Sequence, residues 1–76
     1  MEQTEKHEQD PRYCTMIDVN MAHPDFAKVS LWATGDAVRI DTYGGTANDA
    51  SLRAMRLFSK LGATGCIRNH HTMRVG

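Results

Sequence analysis

AVRIDTYGGTANDASLRAMRLFSKLG, residues Ala37 to Gly62, is the stretch whose reading decides the fold. Its first seven residues alternate. Val38 and Ile40 fall on one side and Arg39, Asp41 and Tyr43 on the other, the period of a half-buried strand. Gly44 and Gly45 end that run. Thr46 then stands as a helix N-cap, with Asp49 three residues on in capping-box position and Asn48 as a competing cap. Asp49 near the start and Lys60 near the end both suit the helix dipole. Ala50, Ala54, Leu57, Phe58 and Leu61 recur at helical spacing and form one apolar arc. Gly62 follows as a left-handed stop. The stretch predicts a strand over Ala37–Tyr43 and a helix over Ala47–Leu61, packed through Ala54, Leu57, Phe58 and Leu61.

Working outward, Gly35-Asp36 sits between two strand-like runs and suits a two-residue hairpin turn. The run before it, Phe26–Thr34, reads as a strand with Val29, Leu31 and Ala33 on one face and Ser30, Trp32 and Thr34 on the other. Asn20–Asp25 carries a His-Pro-Asp turn signal. Tyr13–Val19 reads as the first strand, with Tyr13, Thr15, Ile17 and Val19 sharing a face. Past the helix, Cys66–Val75 reads as the last strand. Ile67, Met73 and Val75 form its apolar row, and Arg68, His70, Thr72 and Arg74 the opposite row. The order β-β-β-α-β predicts an α+β domain: an antiparallel four-stranded sheet with one helix on one face.

The chain has 76 residues, which is room for one domain. Residues 1–12 are polar and acidic and read as a flexible leader, leaving 13–76 as the domain. Hydrophobic residues at 41% and charged residues at 24% suit a globular chain rather than a disordered one. No apolar run approaches the roughly 20 residues of a membrane-spanning helix. The polar first ten residues offer no secretory signal, so a cytoplasmic location is expected.

A net charge of zero hides a gradient. Residues 1–27 hold two basic side chains against six acidic ones, and no acidic residue follows Asp49. The half beyond Asp49 carries Arg53, Arg56, Lys60, Arg68 and Arg74. Arg53, Arg56 and Lys60, at i, i+3 and i+7, stack along one side of the helix. They form either a solvated face or a site for carboxylates or phosphates. The uncovered sheet face is expected to collect Trp32, Arg39, Tyr43, Arg68, His70 and Arg74. Aromatic rings among arginines suit a protein interface or a stacking platform for single-stranded nucleic acid.

Other chemistry finds little support. Cys14, Cys66 and the histidines lack zinc-ligand spacing, so no metal and no cofactor is expected. The two cysteines are expected unpaired. His23 with Asp25 and the His70-His71 pair come without a nucleophile elbow or phosphate loop, so an enzyme is not expected.

Lys28–Thr42 as hairpin, Thr46–Leu61 as helix and Cys66–Val75 as closing strand give an outline that resembles small phage-encoded inhibitors, the anti-CRISPR proteins, in size, architecture and charged surface. The outline also partly resembles small antitoxins with a βββα core. The first resemblance implies direct binding to a bacterial defence complex, blocking target nucleic acid or nuclease recruitment; it rests on no motif and assigns no residue. The expectation is a non-enzymatic protein-binding inhibitor or adaptor using Trp32, Arg39, Tyr43, Arg53, Arg56, Lys60, Arg68 and Arg74. The alternative is a small nucleic-acid-binding module using the basic half.

Overall fold

The computed structural model describes residues 11–75; most of the acidic leader lies outside the described residues. Four strands and one α-helix run in the order β1 (Arg12–Val19), β2 (Ala33–Thr34), β3 (Ala37–Tyr43), α1 (Ala47–Leu61) and β4 (Ile67–Arg74). All pairings are antiparallel, in the order β2-β3-β1-β4. The domain is therefore α+β, as the alternation around Ala37–Gly62 predicts. The sheet takes in part of the leader: Arg12 pairs with Tyr43, and the Gly44 amide donates to the Pro11 carbonyl at 2.7 Å.

The helix forms where its signals place it. The Thr46 hydroxyl accepts from the Asp49 amide, the Asp49 carboxylate accepts from the Thr46 amide, and Gly62 ends the helix at φ 71°. A left-handed residue at that point is cheap only for glycine. One column of α1 is sealed: Ala50, Ala54 and Phe58 are buried. The two alanines let the helix approach the sheet closely. Phe58 then fills the centre of a core with Ile17, Val19, Val29 and Val38. Leu57, expected in the core, is instead 44% exposed, and Leu61 is half-buried. The buried column is narrower than the apolar arc, so Leu57 falls on its flank.

Phe26–Thr34 is not a strand. It forms two 3-10 turns, Pro24–Lys28 and Ser30–Trp32, and only Ala33–Thr34 joins the sheet. Pro24 presets the first turn, and the His23 side chain caps it by accepting from the Asp25 amide at 3.1 Å. Polar ties then hold the segment against the loop after α1. The Gly65 amide donates to the Asp25 carboxylate at 3.1 Å, and Lys28 Nζ donates to the Gly62 carbonyl at 3.2 Å. Val29 is driven into the core while Leu31 is left 92% exposed. The Gly35-Asp36 hairpin survives in short form, with Ala33 opposite Val38 and Thr34 opposite Ala37.

The last strand also departs from expectation. It begins at Ile67, after a 3-10 turn over Thr64–Cys66. Val19 pairs with Ile67, but Asp18 pairs with Asn69, so Arg68 is an extra residue in a bulge. One inserted residue flips every side chain beyond it. Ile67 still packs against the core, but His70, Thr72 and Arg74 then join the helix-side row and Met73 turns to the other face. A 2.9 Å contact between the Thr15 and Thr72 hydroxyls fixes this assignment.

No helix among the described residues is long and apolar enough to cross a membrane.

Candidate protein-docking site

The flank of α1 that holds Leu57 faces the outer edge of β3. The 3-10 turn over Ser30–Trp32 closes the end of the space between them. The result is a cleft of about 350 Å³ lined by Val29, Trp32, Val38, Arg39, Ile40, Leu57, Phe58 and Leu61. Its floor is core: Val29, Val38 and Phe58 are buried. Its rims are not. Trp32 is 57% exposed, and Leu57 forms the opposite lip. Leu57 also belongs to a smaller hollow with Arg53, Arg56 and Lys60. An apolar slot and a cationic ledge thus share one leucine.

Charges around the slot are unevenly matched. The Arg39 Nε donates to the Asp41 carboxylate at 3.0 Å, an exposed pair. Arg53 Nη1 donates to the Tyr43 carbonyl at 3.0 Å, tying α1 to the end of β3. Gly45 makes this approach possible: a Cβ there would stand 2.7 Å from the Asp49 carboxylate and 3.1 Å from the Arg53 guanidinium. Arg56 and Lys60 have no ion-pair partner among the described residues.

Four of the residues singled out from the sequence, Trp32, Arg53, Arg56 and Lys60, border the cleft or the cationic ledge; Arg39 lines the cleft from the edge of the uncovered face, and Tyr43 meets Arg53 through its carbonyl. Trp32 reaches the cleft by a route other than the expected one. It belongs to a turn at the cleft rim, not to a strand on the uncovered face. Arg68 and Arg74 lie elsewhere. Arg68 is the bulged residue, beside Asp18, Asp36 and Asn69 in a polar hollow. Arg74 pairs with Tyr13, and His70 with Ile17, on the helix side of the sheet's far edge. The uncovered face consequently carries Arg12 and Arg39 against Asp18 and Asp41, with Tyr43 and Met73. It is not the arginine-rich aromatic platform expected of it.

Sequence reasoning passed over Val29, Ile40, Leu57 and Leu61 as site residues. Leu57 carried a signal, since it sits at the margin of the apolar arc, whereas Leu61 falls inside the arc at the last residue of the helix.

The cysteines are unpaired. Cys14 pairs with Asp41 and Met73 on the uncovered side, whereas the Cys66 carbonyl accepts from the Asn20 amide at the far end of β1. Burial pushes both thiols up from the ordinary value. At Cys14 the pull of Arg39 opposes this and the Asp41 carboxylate adds to it. Both thiols are thereby held protonated and poorly nucleophilic. Among the described residues no three His, Cys, Asp or Glu side chains gather in a metal-binding group.

No protein-family model, no curated protein and no solved structure matches the chain.

Proposed function

We propose that this chain is a non-enzymatic protein-binding inhibitor or adaptor that docks through the cleft at the β3 edge and the adjoining cationic side of α1. The observation that carries the reading is the shared lip. Trp32 and Leu57 stand exposed over an apolar floor, next to Arg56 and Lys60, which have no ion-pair partner among the described residues. An exposed apolar slot rimmed by cations fits the anatomy of a protein interface, where a few aromatic and arginine anchors dominate. In the narrower form implied by the anti-CRISPR resemblance, the partner is a nucleic-acid-handling defence complex in the host cytoplasm.

The nucleic-acid alternative draws less support. Phosphate-driven binding gains its strength from many cations on one surface, and Arg68 and Arg74 lie away from Arg53, Arg56 and Lys60. The bulge at Arg68 sends Arg74 to the opposite side of the sheet from Arg39 and Tyr43. Free oligonucleotides are expected to bind weakly at about 150 mM salt.

The test is capture of a protein partner from lysate of the source cell by the tagged full chain and by single variants. Trp32→Ala and Arg56→Ala are expected to lose the partner, and His70→Ala to keep it. Equal capture by all three variants, or tight sequence-tolerant binding of oligonucleotides, would overturn the reading.

A further inference from the structure

β3 is incomplete on its outer side. On its inner side β1 takes its even-numbered residues: the Gly44 amide reaches the Pro11 carbonyl at 2.7 Å, and the Val19 amide reaches the Asp36 carbonyl at 2.8 Å. Antiparallel alternation then turns the main-chain groups of Arg39, Asp41 and Tyr43 outward. β2 pairs with that side at Ala37 and Val38, and because Ala33 and Val38 face each other as a non-hydrogen-bonded pair, the Arg39 amide is taken by the Trp32 carbonyl. Arg53 takes the Tyr43 carbonyl. From Arg39 onward no strand lies beside β3 on that side among the described residues. An outward row of amides and carbonyls beside an apolar slot is a template for an added strand.

Charge decides what could fill it. A second copy of this chain is poorly matched. Symmetric pairing over Arg39–Tyr43 sets the two Asp41 side chains opposite one another, and like charges in that position destabilise a pair. It also brings two sets of Arg53, Arg56 and Lys60 together. A basic segment meets the same repulsion. An acidic segment finds Arg56 and Lys60, which have no ion-pair partner among the described residues, while Arg39 at the rim is held by Asp41.

We propose that the outer edge of β3 accepts an extended, acidic segment of a partner protein as an added strand, anchored by an apolar side chain in the cleft between Trp32 and Leu57. This rests on the reading of the chain as a protein-binding module and specifies the chemistry of the partner. The open stretch, from the Arg39 carbonyl to Thr42, spans about four residues of partner, roughly 13 Å of strand. Main-chain bonds to the Arg39 carbonyl and to the amide and carbonyl of Asp41 set the register. Partner side chains on the helix side enter the slot beside Ile40 and, nearer Tyr43, meet Arg53 and Arg56. Those on the opposite side meet the Arg39–Asp41 ion pair, so the acidic side chains of the segment belong on the helix side.

A displayed library of random peptides, about ten residues long, selected on the full chain, tests this. Winners are expected to carry an apolar centre flanked by Asp or Glu. A synthesised winner should bind about tenfold or more weakly when the amides facing β3 are N-methylated. It should also bind weakly to Trp32→Ala and to Asp41→Pro. The latter removes one outward amide at a position where the ladder to β1 makes no use of it. No enrichment, basic winners, binding indifferent to N-methylation, or self-association of the chain through this edge would each overturn the proposal. If N-methylation is without effect while Trp32→Ala and Arg56→Ala still lose the lysate partner, strand addition fails and the protein-binding function stands. If capture is unaffected by those two variants, the functional reading itself fails.

Discussion

The two edges of the sheet are built differently. β4, on one edge, is eight residues long and begins with a bulge at Arg68. Arg68, His70, His71 and Arg74 are exposed along it. A bulge and charged side chains are devices that keep an edge from pairing with another chain. β3, on the other edge, is paired with β2 at its first two residues and then runs beside an apolar cleft. One edge is defended and the other is left with an anchor point. The proposed attachment uses the second edge, away from the face that composition alone points to.

The largest effect should come from the floor that core and cleft share. Phe58 is 1% exposed and packs against both the sheet and the turn carrying Val29. Phe58→Ala should cost about 3–5 kcal/mol, enough to unfold a domain of this size. Thermal unfolding followed by circular dichroism measures it, and an unchanged midpoint would contradict the packing. A smaller loss is expected at the start of α1, which holds the cationic ledge in place. Thr46→Ala removes one half of the capping box. Denaturant titration should show a loss of about 1 kcal/mol. Smallest is the change at the defended side. Met73 is 48% exposed, on the opposite face of the sheet from α1. Met73→Lys should alter stability by no more than about 0.5 kcal/mol. A loss several times larger would place Met73 in the core and remove the bulge from the account.

That last variant also marks where the sequence stops being readable. The limits of α1 were legible because Thr46, Asp49 and Gly62 act on their own backbone neighbourhood. So were the limits of β3, an alternating run bounded by glycines. The rows of β4 were not. A regular alternation from Ile67 puts Met73 inside, and nothing in the string announces that Arg68 is counted out of the ladder. Trp32 fails for a different reason. The turns around it depend on Asp25 reaching the Gly65 amide and Lys28 reaching the Gly62 carbonyl, contacts to a loop that follows the helix. Local alternation of Val29, Leu31 and Ala33 cannot report such ties. The cationic side of the helix was visible as Arg53, Arg56 and Lys60. The slot beside it was not, because it exists only once those turns close its end.

The contrast between the edges is tested most directly by amide hydrogen exchange on the full chain, alone and with its captured partner. Outward amides that gain a strand become protected, and those that gain none do not. The partner is expected to slow exchange at Asp41 while the outer edge of β4, from Asn69 to Met73, exchanges as in the free chain. Protection confined to β4, or to the uncovered face around Met16 and His71 with β3 unchanged, would contradict that expectation.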